Sequence, residues 1–368
     1  MWVRIPPAAL IQTLLVAVVL SAAPASAATP SELDRILDRA TERAKTPGAT
    51  AALVEDGSVV WEGGSGRSDI DRRAEMKPSA LYPIASTTKT ITAAMVMRLV
   101  EEGRLSLDQT IEDALPDLPN ADRITIRMLL DHSSGLADYL DSNAIYEIID
   151  PQHAWTREEV LSFVGEPRFA PGARHSYSNT NFVALGAILE HYGGTGIEEQ
   201  FDALFSTPLS LRDATFVYDD ALLPRLAHPH AGGTRRSFRD LLGNGDRIST
   251  YYWSEVWTDG GLVACSPELA RIGNAIFAGE ALEPDTVESM LPPRTNGWGL
   301  GTFQGSMAGH LWTGHDGLYG GYAIESWTDR SRDLTLTVMT NAHGYRNGEP
   351  AATSIWRRLA KATAAGSR

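Results

Sequence analysis

The chain is poor in cysteine and in positive charge. Its 368 residues include a single cysteine, Cys265, so no disulfide forms within it and the fold rests on core packing. Lys and Arg total 32 against 46 Asp and Glu, a formal charge of −14. That balance argues against nucleic-acid partners and against electrostatic attachment to anionic membranes. Lysine is the scarcest charged residue, present only at Lys45, Lys77, Lys89 and Lys361. The apolar stretch at 8–20 is too short to span a bilayer. H-E-x-x-H, G-x-S-x-G and phosphate-binding glycine loops are missing, as are internal repeats.

What is present begins with a leader. Arg4, the apolar stretch at 8–20 and Ala25-Ser26-Ala27 form the three parts of a secretory signal over 1–27, with cleavage expected after Ala27. No cysteine follows that could carry a lipid. The chain is therefore expected to be secreted, with no stable membrane anchor.

The remainder is longer than one hydrophobic core usually serves, which implies two lobes. A helix is expected over 31–45, capped by Ser31, and then strands over 49–54 and 58–63 joined by the hairpin signal Asp56-Gly57. Helical patterns follow at 87–102, 125–131, 156–164 (with Thr156 and Glu159 as a capping box) and 181–192. Strand patterns return at 299–303, 310–313, 321–327 and 334–341, before a closing amphipathic helix over 350–365. The fold class is α+β: an antiparallel sheet built from both termini with flanking helices, plus an inserted mainly helical lobe. The sheet lobe takes 28–80 and 294–368, and the helical lobe 81–293.

Three motifs carry chemistry. In Ser86-Thr87-Thr88-Lys89 a hydroxyl and an amine three residues apart share a helix face. The amine works as a base when burial or a neighbouring cation lowers its pKa. Tyr177-Ser178-Asn179 follows the turn Phe169-Ala170-Pro171-Gly172 and precedes a helix, which puts a phenol and an amide on a loop. The bland alternative is that Asn179 merely caps that helix. In His315-Asp316-Gly317, strand alternation sets His315 and Gly317 on one face and Asp316 on the other. Gly317, Gly320 and Gly321 allow backbone to approach a ligand, and the N–H groups of Leu318 and Ser86 would form an oxyanion hole. Cys265 follows an apolar stretch and is expected to be inert. His228-Pro229-His230 lacks a third ligand at a recognisable spacing, so no metal site is expected. His132 is expected to be structural.

In this order the motifs resemble the S-x-x-K, Y-x-N and K-T-G or H-x-G set of the serine penicillin-recognising enzymes: D-alanyl-D-alanine carboxypeptidases, class C β-lactamases and their esterase and D-aminopeptidase relatives. The stretch from Leu129 to Leu136 is similar to that family's L-L-x-H-T-S-G-L, and Gly260-Gly261-Leu262 and Trp298-Gly299-Leu300-Gly301 also fit. The resemblance implies an acyl-enzyme on Ser86, with Lys89 as proton acceptor and Tyr177 as proton shuttle to the leaving group. Asn179 would hold the acyl-side amide, and His315 would orient Tyr177 and bias the local charge. No metal or organic cofactor is implied.

The implied substrate is a small-molecule or peptidoglycan-like acyl compound, and the carboxypeptidases are the nearest match. An esterase, D-aminopeptidase or β-lactamase activity, or a non-catalytic β-lactam or peptidoglycan binder, are the alternatives. Where the carboxypeptidases have a Thr after the His, this chain has Asp316, and Leu318 follows the Gly. Both changes remove donors for a substrate carboxylate, and Asp316 adds a like charge. Arg294 is the candidate to compensate.

Overall fold

A computed structural model describes residues 28–141, 155–216, 220–231, 239–240, 254–293, 297–344 and 348–364. The leader at 1–27, Arg294 and most of the segment 232–253 lie outside the described residues. Chain order begins with helix α1 (Pro30–Ala44) and strands β1 (Gly48–Glu55), β2 (Ser58–Asp69), β3 (Ala74–Glu75) and β4 (Tyr82–Pro83). Helices α2 (Thr88–Glu101), α3 (Ile126–Leu130), α4 (Arg157–Ser162), α5 (Thr180–Gly193) and α6 (Ile197–Phe201) follow. Next come β5 (His230–Ala231), β6 (Arg239–Asp240), α7 (Trp257–Gly260), β7 (Val263–Ala264), α8 (Ser266–Ala278) and α9 (Pro284–Met290). The chain closes with β8 (Phe303–Met307), β9 (His310–Tyr319), β10 (Tyr322–Asp329), β11 (Leu334–Thr340) and α10 (Ala351–Ala364).

The main sheet runs β3-β2-β1-β11-β10-β9-β8, antiparallel throughout. The amino-terminal strand β1 therefore lies beside the carboxy-terminal β11, as a sheet assembled from both termini requires. The β1–β2 hairpin turns on Asp56 and Gly57, at φ 48° and 72°. Both residues in the left-handed region make a turn whose twist matches the strands. Strand β1 alternates between two covered faces. Ala49, Ala51 and Leu53 join Leu33 and Leu37 of α1 and Ile355 and Leu359 of α10 in one core, while Ala52 and Val54 meet Ala270 of α8 on the other face.

Some local expectations shift. The cap of α1 is Thr29, in a capping box with Glu32, rather than Ser31. The Thr156–Glu159 box is formed as expected. The strand expected at 299–303 starts only at Phe303. Before it, the chain tucks under α2: Gly301 has φ 68°, Thr90 Oγ1 donates to its carbonyl at 2.8 Å, and a Cβ there would lie 2.5 Å from that of Ala93. Helix α8 lies within 81–293 in sequence, yet it packs on the sheet through Gly273, opposite Thr335 and Ser326. Small residues on that face let the helix come close. Among the described residues, no helix is long and apolar enough to cross a membrane.

Candidate active site

From Leu81 to Met97 every residue is buried except Ser86. It sits in a single 3₁₀ turn, Ala85–Thr87, that leads into α2. Ala85 just before it is buried with φ 49°. A non-glycine residue there stores backbone strain of about 1–3 kcal/mol, a cost met at functional turns. The strain lifts the hydroxyl out of the buried run into reach of solvent.

One turn on, the Lys89 side chain is fully buried. Its Nζ donates to Ser86 Oγ at 3.2 Å and to the Asp259 carbonyl at 2.6 Å, and lies 3.5 Å from Asp259 Oδ1. The Tyr177 hydroxyl lies beside both Ser86 and Lys89, with its ring centroid 5.1 Å from Lys89 Nζ. Alcohol, amine and phenol are thus in mutual contact.

The uncharged amine expected of Lys89 is not what this pocket favours. Burial works against its ammonium, but Tyr177 and Asp259 outweigh burial and the pKa stands above its ordinary value. Burial pushes Asp259 up to about 7, against the pull of Lys89 and the Tyr139 hydroxyl. Burial also raises Tyr177, with Lys89 and Ser86 opposing. The resting cluster is an ammonium beside a phenol and a carboxylate poised near neutrality.

Asp259, the group that sets this balance, was not singled out by the sequence reading. Its nearest signal is the Gly260-Gly261 pair that follows it. The glycines are structural: a Cβ on Gly261 would lie 2.4 Å from the Trp257 carbonyl, and one on Gly186 of α5 would lie 2.2 Å from Thr258 Oγ1. Without side chains at these points α7 comes close to α5 and α2, where Thr258 Oγ1 donates to the Phe182 carbonyl and Thr92 Oγ1 to the Thr258 carbonyl.

Tyr177 is held from behind by the Leu129–Leu136 stretch. The His132 ring stacks under it at 4.4 Å, and His132 Nδ1 accepts from the Ser178 N–H at 3.2 Å. Burial, then the Lys89 charge, keep the His132 pKa well below its usual value. It is a neutral prop, as its sequence position suggested. Asn179 occupies the N-cap position of α5 without a side-chain cap, so the bland reading fails. Its Nδ2 and backbone N–H both donate to Asp138 Oδ2, at 3.0 and 3.1 Å.

His315 is buried on β9, with Nδ1 against the Asp316 carbonyl and its ring 6.3 Å from that of Tyr177. Burial drops its pKa to about 4 despite Asp316. The ring is neutral at pH 7 and meets Tyr177 by its edge rather than with a charge. Beyond Gly314 strand β8 no longer pairs with β9, so 315–319 form an open edge of the main sheet. Leu318 lies on it, 38% exposed.

Gly317 is needed for a different contact from the one expected. A Cβ there would lie 2.4 Å from the Ile84 carbonyl and 3.2 Å from the Ala85 Cβ. The glycine admits the nucleophile's own turn. Gly317→Ala is expected to destabilise the fold by about 1–3 kcal/mol, because strand and turn must part. Chemical denaturation checks this, and an unchanged midpoint would contradict the contact.

The remaining candidates lie among structural neighbours. His228 faces Asp69 at 3.6 Å and His230 Nδ1 is 3.2 Å from the Asn341 carbonyl. Asp213, Cys265 and Glu268 cluster closely enough to suggest a metal. However, Glu268 accepts the backbone N–H groups of Arg212, Asp213 and Ala214, and Arg225 pairs with Asp213. Burial pushes the Cys265 thiol up to about 12, which leaves it inert.

Comparison with known proteins agrees with this geometry. The family described as Beta-lactamase matches residues 33–360. Esterase EstB of Burkholderia gladioli is 28% identical, over 86% of this chain and 91% of its own length. The D-aminopeptidase of Brucella anthropi is 26% identical over 85% of this chain, which spans 60% of that longer protein. Among solved structures, the D-amino acid amidase of Ochrobactrum anthropi superposes with a TM-score of 0.76 at 23% identity, over 90% of this chain and 97% of the other. A penicillin-binding protein homologue from Pyrococcus abyssi gives 0.75 at 24% identity, over 90% and 76%. At such identities the superpositions speak for the fold. The family match covers nearly the whole chain and brackets every motif from Ser86 to Gly317, so this protein belongs to the beta-lactamase family and is one of its serine hydrolases.

Proposed function

We propose that the protein cleaves a small amide or ester through an acyl-enzyme on Ser86. The observation that carries this reading is the contact of Ser86 Oγ with Lys89 Nζ at 3.2 Å, closed by the Tyr177 hydroxyl. Lys89 first passes a proton to the Asp259 carboxylate, leaving a neutral amine beside a neutral acid. No net charge is created in the buried pocket, which keeps the step accessible there. Ser86 Oγ then attacks the acyl carbon as its proton moves to Lys89. The oxyanion falls to the N–H groups of Ser86 and Leu318. Tyr177 protonates the departing amine or alcohol and is reprotonated by Lys89. Water repeats the sequence in reverse and frees the acid.

Asp316 follows His315 where the carboxypeptidases that the sequence resembles have a Thr for a substrate's terminal carboxylate, and the relatives named above are an esterase, a D-aminopeptidase and a D-amino acid amidase. Esters and small amides therefore rank ahead of the D-alanyl-D-alanine peptides expected from sequence. Export by the leader at 1–27 is part of the same proposal. The experiment is to recover the protein from outside the cell, with Ala28 as its expected first residue. It is then assayed on a p-nitrophenyl ester, a D-amino-acid amide, a chromogenic cephalosporin and a D-Ala-D-Ala peptide. Turnover of the ester or the amide, faster than of the peptide, is expected. Turnover of none would reject the hydrolase, and full-length protein retained in the cytoplasm would reject export.

A further inference from the structure

Resting on the proton step proposed above, we infer that Tyr139 is a positioning residue that aims the Asp259 carboxylate at Lys89 and holds it ready to receive a proton, with Glu255 a buried acid set against it. Neither touches the reacting atoms. The Tyr139 hydroxyl donates to Asp259 Oδ2 at 2.9 Å, while Lys89 Nζ lies 3.5 Å from Asp259 Oδ1. One oxygen is thus pinned and the other is left facing the amine. Tyr139 is itself fixed. Its side chain is fully buried in a cluster with Trp155, Val160 and Val183, and its backbone N–H donates to Thr180 Oγ1 of α5 at 2.9 Å. Burial, with Asp259 and Glu255 adding to it, sets its phenol pKa well above the usual value. The hydroxyl therefore stays a donor across the working pH range.

Glu255 stands two residues before α7, the helix that carries Asp259, and is 3% exposed. Its Oε1 accepts from the hydroxyl of Tyr319, half-buried on the open edge 315–319, at 3.4 Å. Its backbone carbonyl lies 3.5 Å from the Tyr139 hydroxyl. The mechanism uses only one of these two buried acids. The charges facing Asp259 are Lys89 of α2, Asp138 beside the 3₁₀ turn Tyr139–Asp141, and Glu255, while Tyr177 adds a hydroxyl beside Lys89. Burial does most to raise Asp259; Lys89 and the Tyr139 hydrogen bond draw it down, and Asp138 and Glu255 push it further up. A hydrogen bond to a carboxylate favours the ionised form, and a like charge disfavours it. Tyr139 and Glu255 therefore act on one group with opposite sign.

The test compares pH–rate profiles of the parent, Tyr139→Phe and Glu255→Gln on a p-nitrophenyl ester. In Tyr139→Phe the acid limb is expected to move up by about one pH unit or more, since the carboxylate loses a charge-assisted hydrogen bond. Activity at pH 7 then falls about 5-fold and recovers by about pH 9, with KM little changed. In Glu255→Gln the limb is expected to move down, by about half a unit or more, so that activity below pH 7 rises. A tyrosine with a merely structural role would lower the rate at every pH and leave the limb in place, and that result overturns the inference. So does movement of both limbs in the same direction. Glu255→Gln decides the question by itself if Tyr139→Phe folds poorly, because an unmoved or raised limb contradicts the opposition of the two residues. A second readout needs no turnover: the infrared carboxyl band that titrates near pH 7 and is lost in Asp259→Asn should shift its midpoint in the same two directions. A parent without activity rejects the hydrolase reading, whereas infrared midpoints unmoved in both variants overturn this inference whether or not the parent is active.

Discussion

Ser86→Ala is expected to lower kcat/KM on an activated ester by about 10³-fold or more, because it removes the atom that attacks the acyl carbon. Folding should be nearly unaffected. The side chain is partly exposed, and the change forfeits a hydrogen bond from Lys89 worth about 1 kcal/mol at most. The strained turn at Ala85 is backbone and does not need the hydroxyl. The measurement is ester hydrolysis beside thermal unfolding. A folded variant as active as the parent would remove Ser86 from the mechanism.

The second large effect belongs to Asp259. In the parent, kcat/KM is expected to fall below a limb near pH 7. A protonated Asp259, raised to about 7 by burial, can no longer take the proton from Lys89. His315 cannot produce this limb, since burial has brought its pKa down to about 4. Asp259→Asn removes the proton acceptor altogether. Activity at pH 7 is then expected to drop by about 10²-fold. The limb should then be set by Lys89, which must lose its proton to solvent from a pKa no longer held up by the Asp259 charge. A pH–rate profile over 5–10 reads both effects. An unchanged limb in the variant would show that Asp259 takes no part in proton transfer.

Much of this site was legible because its parts are local. Ser86 and Lys89 meet through helix spacing, Asp56-Gly57 marks its own turn, and strand alternation places His315 and Gly317 together. The features that escaped depend on parts brought together by the fold. The Asp259 carbonyl reaches Lys89 from 170 residues away, and only through the close crossing that Gly186 and Gly261 permit. The Lys89 charge follows from that crossing, so burial alone gave the wrong protonation state. Asp138 gave no periodic or motif signal, although it lies two residues beyond the Leu129–Leu136 stretch. Gly317 was rightly read as a point of close approach, but the approaching group is the nucleophile's turn. The strand expected at 299–303 failed because apolar alternation cannot distinguish a strand from a buried loop whose glycines fit beneath a helix.

The most direct test of the account is covalent capture. The purified protein would be treated with a phosphonate ester that reacts with activated serines, then digested and mapped by mass spectrometry. The prediction is one added phosphonyl group, carried by the peptide containing Ser86 and absent from Ser86→Ala. Stoichiometric labelling at any other residue, or persistence of the label in that variant, would contradict it.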